Sequence, residues 1–249
     1  MSSLRPALAD LLAYLGEMGY GDLYRDPPRR AASAAMPVLQ EAPAPEAFAP
    51  APILLDEEAG GRSAELAALA GTVAACTRCR LAEGRQKVVF GSGSPNADLM
   101  LIGEGPGAEE DRQGLPFVGA AGDLLTRIIQ AIDMTREAVY IANVVKCRPP
   151  GNRDPQPDEV AACRGYLEKQ IALIRPKVIV ALGKVAAQAL LGNDAPIGRM
   201  RGQWYSVQGI PTMVTYHPAA LLRNAALKRP TWEDMQQVRD HLRGLPENT

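Results

Sequence analysis

Four cysteines stand in this 249-residue chain, Cys76 and Cys79 as a C-x-x-C pair and Cys147 and Cys163 well downstream. Thiolates are soft donors, and four brought together hold zinc or an iron-sulfur cluster; spacing alone does not separate the two. A redox dithiol is the rival for the close pair, but thioredoxin-like pairs open a helix after a strand, whereas this pair closes a helical run. Cys147 follows an apolar strand-like run and Cys163 falls inside the next helical stretch, so both can fold back on the first pair. The start, Met1 to Ala9, lacks the basic flank and apolar core of a secretion signal, so a cytoplasmic protein with reduced thiols and no disulfides is expected.

Other reactive groups lie in two motifs, GEGPGAEED from Gly103 to Asp111 and YHPAALLRN from Tyr216 to Asn224. The first has the look of a phosphate loop but is neither G-x-G-x-x-G nor a Walker A sequence. Pro106 removes an amide donor, and Glu109, Glu110 and Asp111 repel anions. Glu104 ends a strand, where a carboxylate either faces a reaction centre or is satisfied by amides of its own turn. His217 also ends a strand, ahead of Pro218; it either donates a hydrogen bond to developing negative charge or caps the strand. The other histidine, His241, falls in the terminal amphipathic helix beside Asp240 and Arg243 and reads as a surface group.

These groups need a scaffold that gathers distant segments. Asp98–Gly103, Val139–Val145, Lys177–Gly183, Gln203–Val207 and Pro211–Tyr216 read as strands, and Ala121–Asp133, Pro157–Ile174, Lys184–Leu191 and Thr231–Leu242 as helices. This order implies a mostly parallel sheet covered on both faces, with both motifs at the strand ends where such sheets bind ligands. Ser63 is the expected N-cap of a helix, Ala64 to Ala75, that delivers Cys76. Upstream, Leu8, Leu11, Leu12, Leu15 and Met18 repeat at helical spacing, and Asp26 to about Pro52 is dominated by Ala, Pro and Glu. The organisation expected is an amphipathic helix in 1–25, a linker over 26–60 and a globular domain over 61–249.

A hydrophobic content of 47% suffices for a core, and no apolar run is long enough to span a membrane. The net charge of −1 hides an asymmetry, with residues 1–60 at −5 and the remainder at +4. Basic clusters at Arg78/Arg80, Lys146/Arg148/Arg153, Arg199/Arg201 and Arg223/Lys228/Arg229 fit either a nucleic-acid partner or ordinary solvated surface.

GEGPGAEED, LPFVGAAGDLL, YIANVVKCRPPGNR, KVIVALG and YHPAALLRN, with the four cysteines, resemble the family 4 iron-sulfur uracil-DNA glycosylases from about Val73 to the terminal helix. The resemblance implies a three-layer α/β/α sandwich with a central, mostly parallel sheet of about four strands. It implies a 4Fe-4S cluster on Cys76, Cys79, Cys147 and Cys163, and hydrolysis of the N-glycosidic bond of uracil in single- or double-stranded DNA, releasing uracil and leaving an abasic site. Phe117 would stack on the flipped base, Asn143 read its Watson–Crick edge, backbone at Gly105 touch it, Glu110 exclude a methyl at C5 and His217 bond O2. Glu104 would orient water or stabilise the sugar cation, with Asn152 supporting the site. Lys146 and Arg148 would face DNA, while Leu221, Leu222 and Arg223 would fill the gap left by the base. Core packing is the alternative for Phe117, and helix packing for the leucines, one of which is expected to pack.

Zinc deaminases need H-x-E and P-C-x-x-C, which this chain lacks. Relatives that become trapped covalently on DNA carry GEQPG and a histidine-containing insertion; GEGPG and the short Lys146–Pro157 stretch predict turnover instead. A noncatalytic iron-sulfur DNA-binding or electron-transfer protein is the rival class, since it would not need Glu104, Asn143 and His217 together. A monomer is expected, with the N-terminal helix docked on a protein partner or on its own domain.

Overall fold

A computed structural model of the chain describes residues 40–41 and 59–245. The expected helix within 1–25 and most of the expected linker lie outside the described residues. The sheet has seven strands, β1 (Gln40–Glu41), β2 (Ser92–Gly93), β3 (Leu99–Gly103), β4 (Tyr140–Asn143), β5 (Val178–Leu182), β6 (Trp204–Val207) and β7 (Ile210–Thr215), in the spatial order β1-β6-β7-β5-β3-β4-β2. The run β7-β5-β3-β4 is parallel throughout. Onto this four-stranded heart β6 and β2 add antiparallel, and β1 pairs with β6 in parallel. The sheet is therefore larger than the expected four strands. Two of the additions are two-residue edges, too short to show apolar alternation. The third is tied to β7 by Gln208 and Gly209, both at positive φ (52° and 79°), as a tight hairpin requires.

Nine α-helices surround the sheet among the described residues: α1 (Ala59–Ala74), α2 (Leu81–Gly84), α3 (Ala108–Gln113), α4 (Ala120–Ala131), α5 (Pro157–Ile174), α6 (Lys184–Leu191), α7 (Ile197–Met200), α8 (Pro218–Arg223) and α9 (Lys228–Gly244). Alternate strand residues face opposite layers. Met100, Ile102, Ala142, Ile179 and Ala181 pack with α1, α5 and α6, whereas Leu99, Leu101, Ile141, Val178 and Val180 pack with α4 and α9. The four strands β7, β5, β3 and β4 are apolar at most positions because both of their faces are covered.

Helix α4 follows β3 on one face and α5 follows β4 on the other, so the chain changes sides between β3 and β5. Open α/β sheets place ligands at such a switch point, beyond the carboxyl ends of the strands. Glu104 follows β3 there, Asn143 ends β4, Gly183 follows β5 and His217 lies two residues beyond β7. Ser63 is not an N-cap, because small residues from Ala59 start α1 a turn earlier.

Candidate active site

Three side chains from different elements meet at the end of β3. A methyl group on Gly103 would lie 2.5 Å from Asn143 Oδ1 and 2.6 Å from Phe117 Cζ, so the glycine leaves the space that both border. Asn143 is 2% exposed, and its Oδ1 has no hydrogen-bond partner. A buried amide oxygen left without any partner is destabilising by about 1–3 kcal/mol, so this one calls for a partner from outside the chain, a water or a ligand. Phe117 holds the left-handed backbone conformation (φ 52°), and its ring packs against that of His217 with centroids 5.4 Å apart. Gly122 makes this turn possible, because a Cβ there would fall 1.9 Å from the Phe117 carbonyl oxygen. The Arg136 guanidinium holds the Pro116 carbonyl from outside.

His217 is the N-cap of α8, and its Nδ1 accepts a hydrogen bond from the Ala219 amide at 3.1 Å. In the neutral ring Nε2 therefore carries the proton. Burial and the nearby Arg223 push the imidazole down to about 4, with Glu110 acting in the opposite sense. Gly183 (φ 92°) admits the histidine, since a Cβ there would come 2.8 Å from His217 Cβ.

Glu104 is partly buried, and its carboxyl is pushed up to about 7, first by burial and then by the Asp154 charge, with Lys184 pulling it down. Lys184 and Asp154 themselves pair at 3.4 Å. Glu110 is fully engaged with main chain. Oε2 accepts from the Gly107 amide (3.1 Å), and Oε1 accepts from Val118 (2.9 Å) and Gly119 (3.1 Å), so the carboxylate ties the Gly103–Gly107 loop to the Phe117 loop. Gly105 lies against Val145, where a Cβ would come 2.7 Å from the valine Cγ2.

Two residues assigned to the DNA surface are elsewhere, and one of them is a leucine of the pair of which one is expected to pack. Lys146 has no exposed surface; its ammonium is bonded to the Asn143 carbonyl and to Gln170, so it cannot reach a phosphate. Leu221 is 2% exposed and packs inward, whereas Leu222 is 53% exposed, as helical geometry requires of neighbouring residues. Arg223 is exposed and Arg148 half-buried. Asn152 is exposed at φ 56°, and its Oδ1 accepts from Arg148 Nε at 2.8 Å, an anchor for the arginine rather than a wall of the pocket. Nor is Arg153 a simple surface cation, for it forms two bonds to the fully buried Glu159 (2.8 and 2.6 Å). His241 is not a surface group either. Its ring packs on Trp204 at 4.8 Å, and Nε2 is buried.

All four cysteines line one pocket with Arg78, Arg85, Lys146 and Tyr166. Cys76 follows the end of α1, Cys147 follows β4 and Cys163 comes from α5. Arg85 Nη1 donates to Cys147 Sγ (3.3 Å) and to the Cys76 carbonyl (2.7 Å), and the Arg78 amide donates to Cys76 Sγ (3.5 Å). Burial pushes the Cys147 and Cys163 thiols up, and Arg85 opposes this at Cys147. No three His, Cys, Asp or Glu side chains among the described residues converge as ligands of a single ion. Four thiols lining one cavity, with a guanidinium aimed at Cys147 Sγ and an amide at Cys76 Sγ, are a donor set that fits an iron-sulfur cluster carrying negative charge with its thiolates.

The profile of the Uracil DNA glycosylase superfamily matches residues 90–236. A type-4 uracil-DNA glycosylase of Sulfurisphaera tokodaii is 45% identical over 177 residues, covering 68% of this chain and 80% of that protein. The type-4 uracil-DNA glycosylase of Thermotoga maritima is 44% identical over 174 residues, covering 68% of this chain and 90% of that protein. A type-5 uracil-DNA glycosylase of Thermus thermophilus is 32% identical over 154 residues, 49% of this chain and 70% of that protein. The chain belongs to the uracil DNA glycosylase superfamily and, within it, to the type-4 glycosylases.

Proposed function

We propose that this chain hydrolyses the N-glycosidic bond of uracil in DNA, reading an extruded base in the space bordered by Gly103, Phe117, Asn143 and His217. The observation that carries this is the buried, unpartnered Oδ1 of Asn143. A planar amide offers an acceptor and a donor side by side, the complement of uracil N3–H and O4; cytosine presents the reverse pattern and would leave both unpaired. Thymine differs by one methyl, so its exclusion is steric. The fixed Glu110 and Phe117 loops supply a wall that does not yield.

As the bond breaks, negative charge collects on the base and positive charge on the sugar. His217 is a neutral donor, with Nδ1 occupied by the Ala219 amide and Nε2–H left for uracil O2. Glu104, at the strand end and ionised above about pH 7, orients the attacking water or stabilises the sugar cation. Leu222 fills the space in the duplex that the base vacates, and Arg148 and Arg223 contact the phosphates. Cys76, Cys79, Cys147 and Cys163 would hold a 4Fe-4S cluster. When bound it supplies a cross-link, joining the end of α1 to the loop after β4 and to α5.

Release of free uracil from a single-stranded oligonucleotide tests the reading. Wild type should release it catalytically with no protein-DNA adduct, and His217→Ala and Asn143→Ala should lose most of the rate. Equal, absent release by all three would instead favour a noncatalytic binding protein. An iron and sulfide assay tests the cluster.

A further inference from the structure

Lys146 is the residue whose burial the glycosylase reading leaves unexplained. Its Nζ donates to the main-chain carbonyl of Asn143 at 2.8 Å and to Gln170 Oε1 at 2.5 Å. Gln170, also without exposed surface, donates from Nε2 to the Phe90 carbonyl (3.0 Å) and the Tyr140 hydroxyl (3.2 Å). The main-chain carbonyl of Lys146 accepts from Val89 at 2.8 Å, the residue lines the thiol pocket, and the next residue is Cys147. Desolvating a lysine is expensive, and a methionine would fill similar volume without that cost, so packing alone does not explain it. Its two partners do. Asn143 carries the unpartnered amide at the base pocket, and Gln170 stands seven residues after Cys163 on the same face of α5.

We propose that Lys146, together with Gln170, is a positioning residue that locks Asn143 to the cysteine-lined pocket, so that occupation of that pocket orders the amide that reads uracil. The amine donates two hydrogen bonds whether or not it is charged, so the link is one of geometry. This rests on the glycosylase reading with a cluster on the four cysteines, and it makes the two sites a linked pair in which each affects the other by the same factor.

The test uses the cluster-loaded full chain as wild type, Lys146→Met and Gln170→Met. Three quantities are measured: inhibition by free uracil, KM and kcat on a uracil-containing oligonucleotide, and the rate at which a chelator removes iron with and without saturating uracil. Loss of a buried hydrogen bond at Asn143 should weaken uracil inhibition and raise KM about tenfold in Lys146→Met, with kcat changed less. Uracil should slow iron loss in wild type but not in either variant. Unchanged uracil inhibition in Lys146→Met, protection that persists in the variants, or no protection in wild type would each overturn the proposal. A merely structural lysine would lower the melting temperature and leave the protection intact. If Lys146→Met does not fold, Gln170→Met carries the same comparison. Wild type that holds no iron or releases no uracil would instead overturn the reading beneath.

Discussion

The ring of Phe117 lies against that of His217, centroids 5.4 Å apart and planes inclined by 30°, although one residue precedes α4 and the other caps α8. This contact joins the wall of the base pocket to the group proposed to stabilise the leaving base. It depends on a backbone conformation that a residue without a Cβ must permit, five positions downstream.

Gly122→Ala should therefore act like a lesion in the pocket itself. The new Cβ would sit 1.9 Å from the Phe117 carbonyl oxygen, so the turn must move and take the ring with it. We expect kcat/KM for uracil release to fall by about a hundredfold or more, since misplacement by an ångström costs that order. Gly165→Ala in α5, where nothing lies within 4 Å of the added methyl, is the control. It should leave activity unchanged and raise the melting temperature slightly.

The pH dependence of the rate should follow Glu104. Its carboxyl is raised to about 7, so kcat/KM should climb through neutrality and level off in mild alkali, with Glu104→Gln slow and flat. Lys184→Met removes the charge that lowers this value and should shift the rising limb to higher pH; Asp154→Asn should shift it lower. Stability responds in the reverse sense. Between the unfolded value of 4.5 and about 7 the folded state holds the extra proton, so stability falls as pH rises through this window. Glu104→Gln should then melt higher than wild type at pH 8, with the gap closing toward pH 5. His217 is lowered instead, to about 4, so it takes up protons mainly in the unfolded state below pH 6.5 and erodes stability as pH falls.

Asn143→Leu should separate stability from function. The asparagine leaves a buried oxygen unpaired, so an apolar replacement of similar size removes that penalty, about 1–3 kcal/mol. The variant should melt at or above the wild-type temperature while losing uracil release almost entirely. A variant that is both less stable and still active would show that the amide is structural.

Removing the cluster proposed for the four cysteines should weaken DNA binding before the sheet unfolds. β3, β5 and β7 contribute no residue to the thiol pocket, which draws on the end of α1, the segment from Cys76 to Arg85, the loop after β4 and α5. Chelation followed by circular dichroism and oligonucleotide binding should show binding lost at unchanged secondary structure. Arg85→Met, which deletes the donor to Cys147 Sγ and the Cys76 carbonyl, should speed iron loss several-fold.

The parallel heart of the sheet was legible because it is written in local chemistry. Pro157 opens α5 and Gly183 and Gly192 bracket α6, so both helices match their expected spans, and each of the four strands of the heart carries an apolar run between turn residues. Helix α3 was not, because GAEED has no apolar period and is nucleated by the Glu110 side chain reaching back to the Gly107 amide. The misread residues share one cause. Lys146, Arg153 and His241 look like surface in sequence, and what buries or pairs each is supplied from elsewhere: Gln170 for the lysine, Glu159 for the arginine, Trp204 for the histidine. The gathering of the four cysteines at one pocket and the placing of His217 just beyond a strand were readable, because each lies in or close to an element whose span is legible in local sequence.

The two leucines of α8 give the last prediction, because they are adjacent in sequence and opposite in environment. Leu221 is 2% exposed, so Leu221→Ala should cost about 2–5 kcal/mol of stability and lower activity only as far as the fold suffers. Leu222, 53% exposed beside the capping His217, has little to lose in stability. If it replaces the extruded base, Leu222→Ala should reduce uracil release from duplex DNA by about tenfold and leave single-stranded substrate nearly unaffected, because only the duplex has a stack to keep open. The ratio of duplex to single-stranded rates, compared between wild type and the two variants, decides it. Equal losses on both substrates for Leu222→Ala would place the side chain in the pocket or the fold instead of in the DNA.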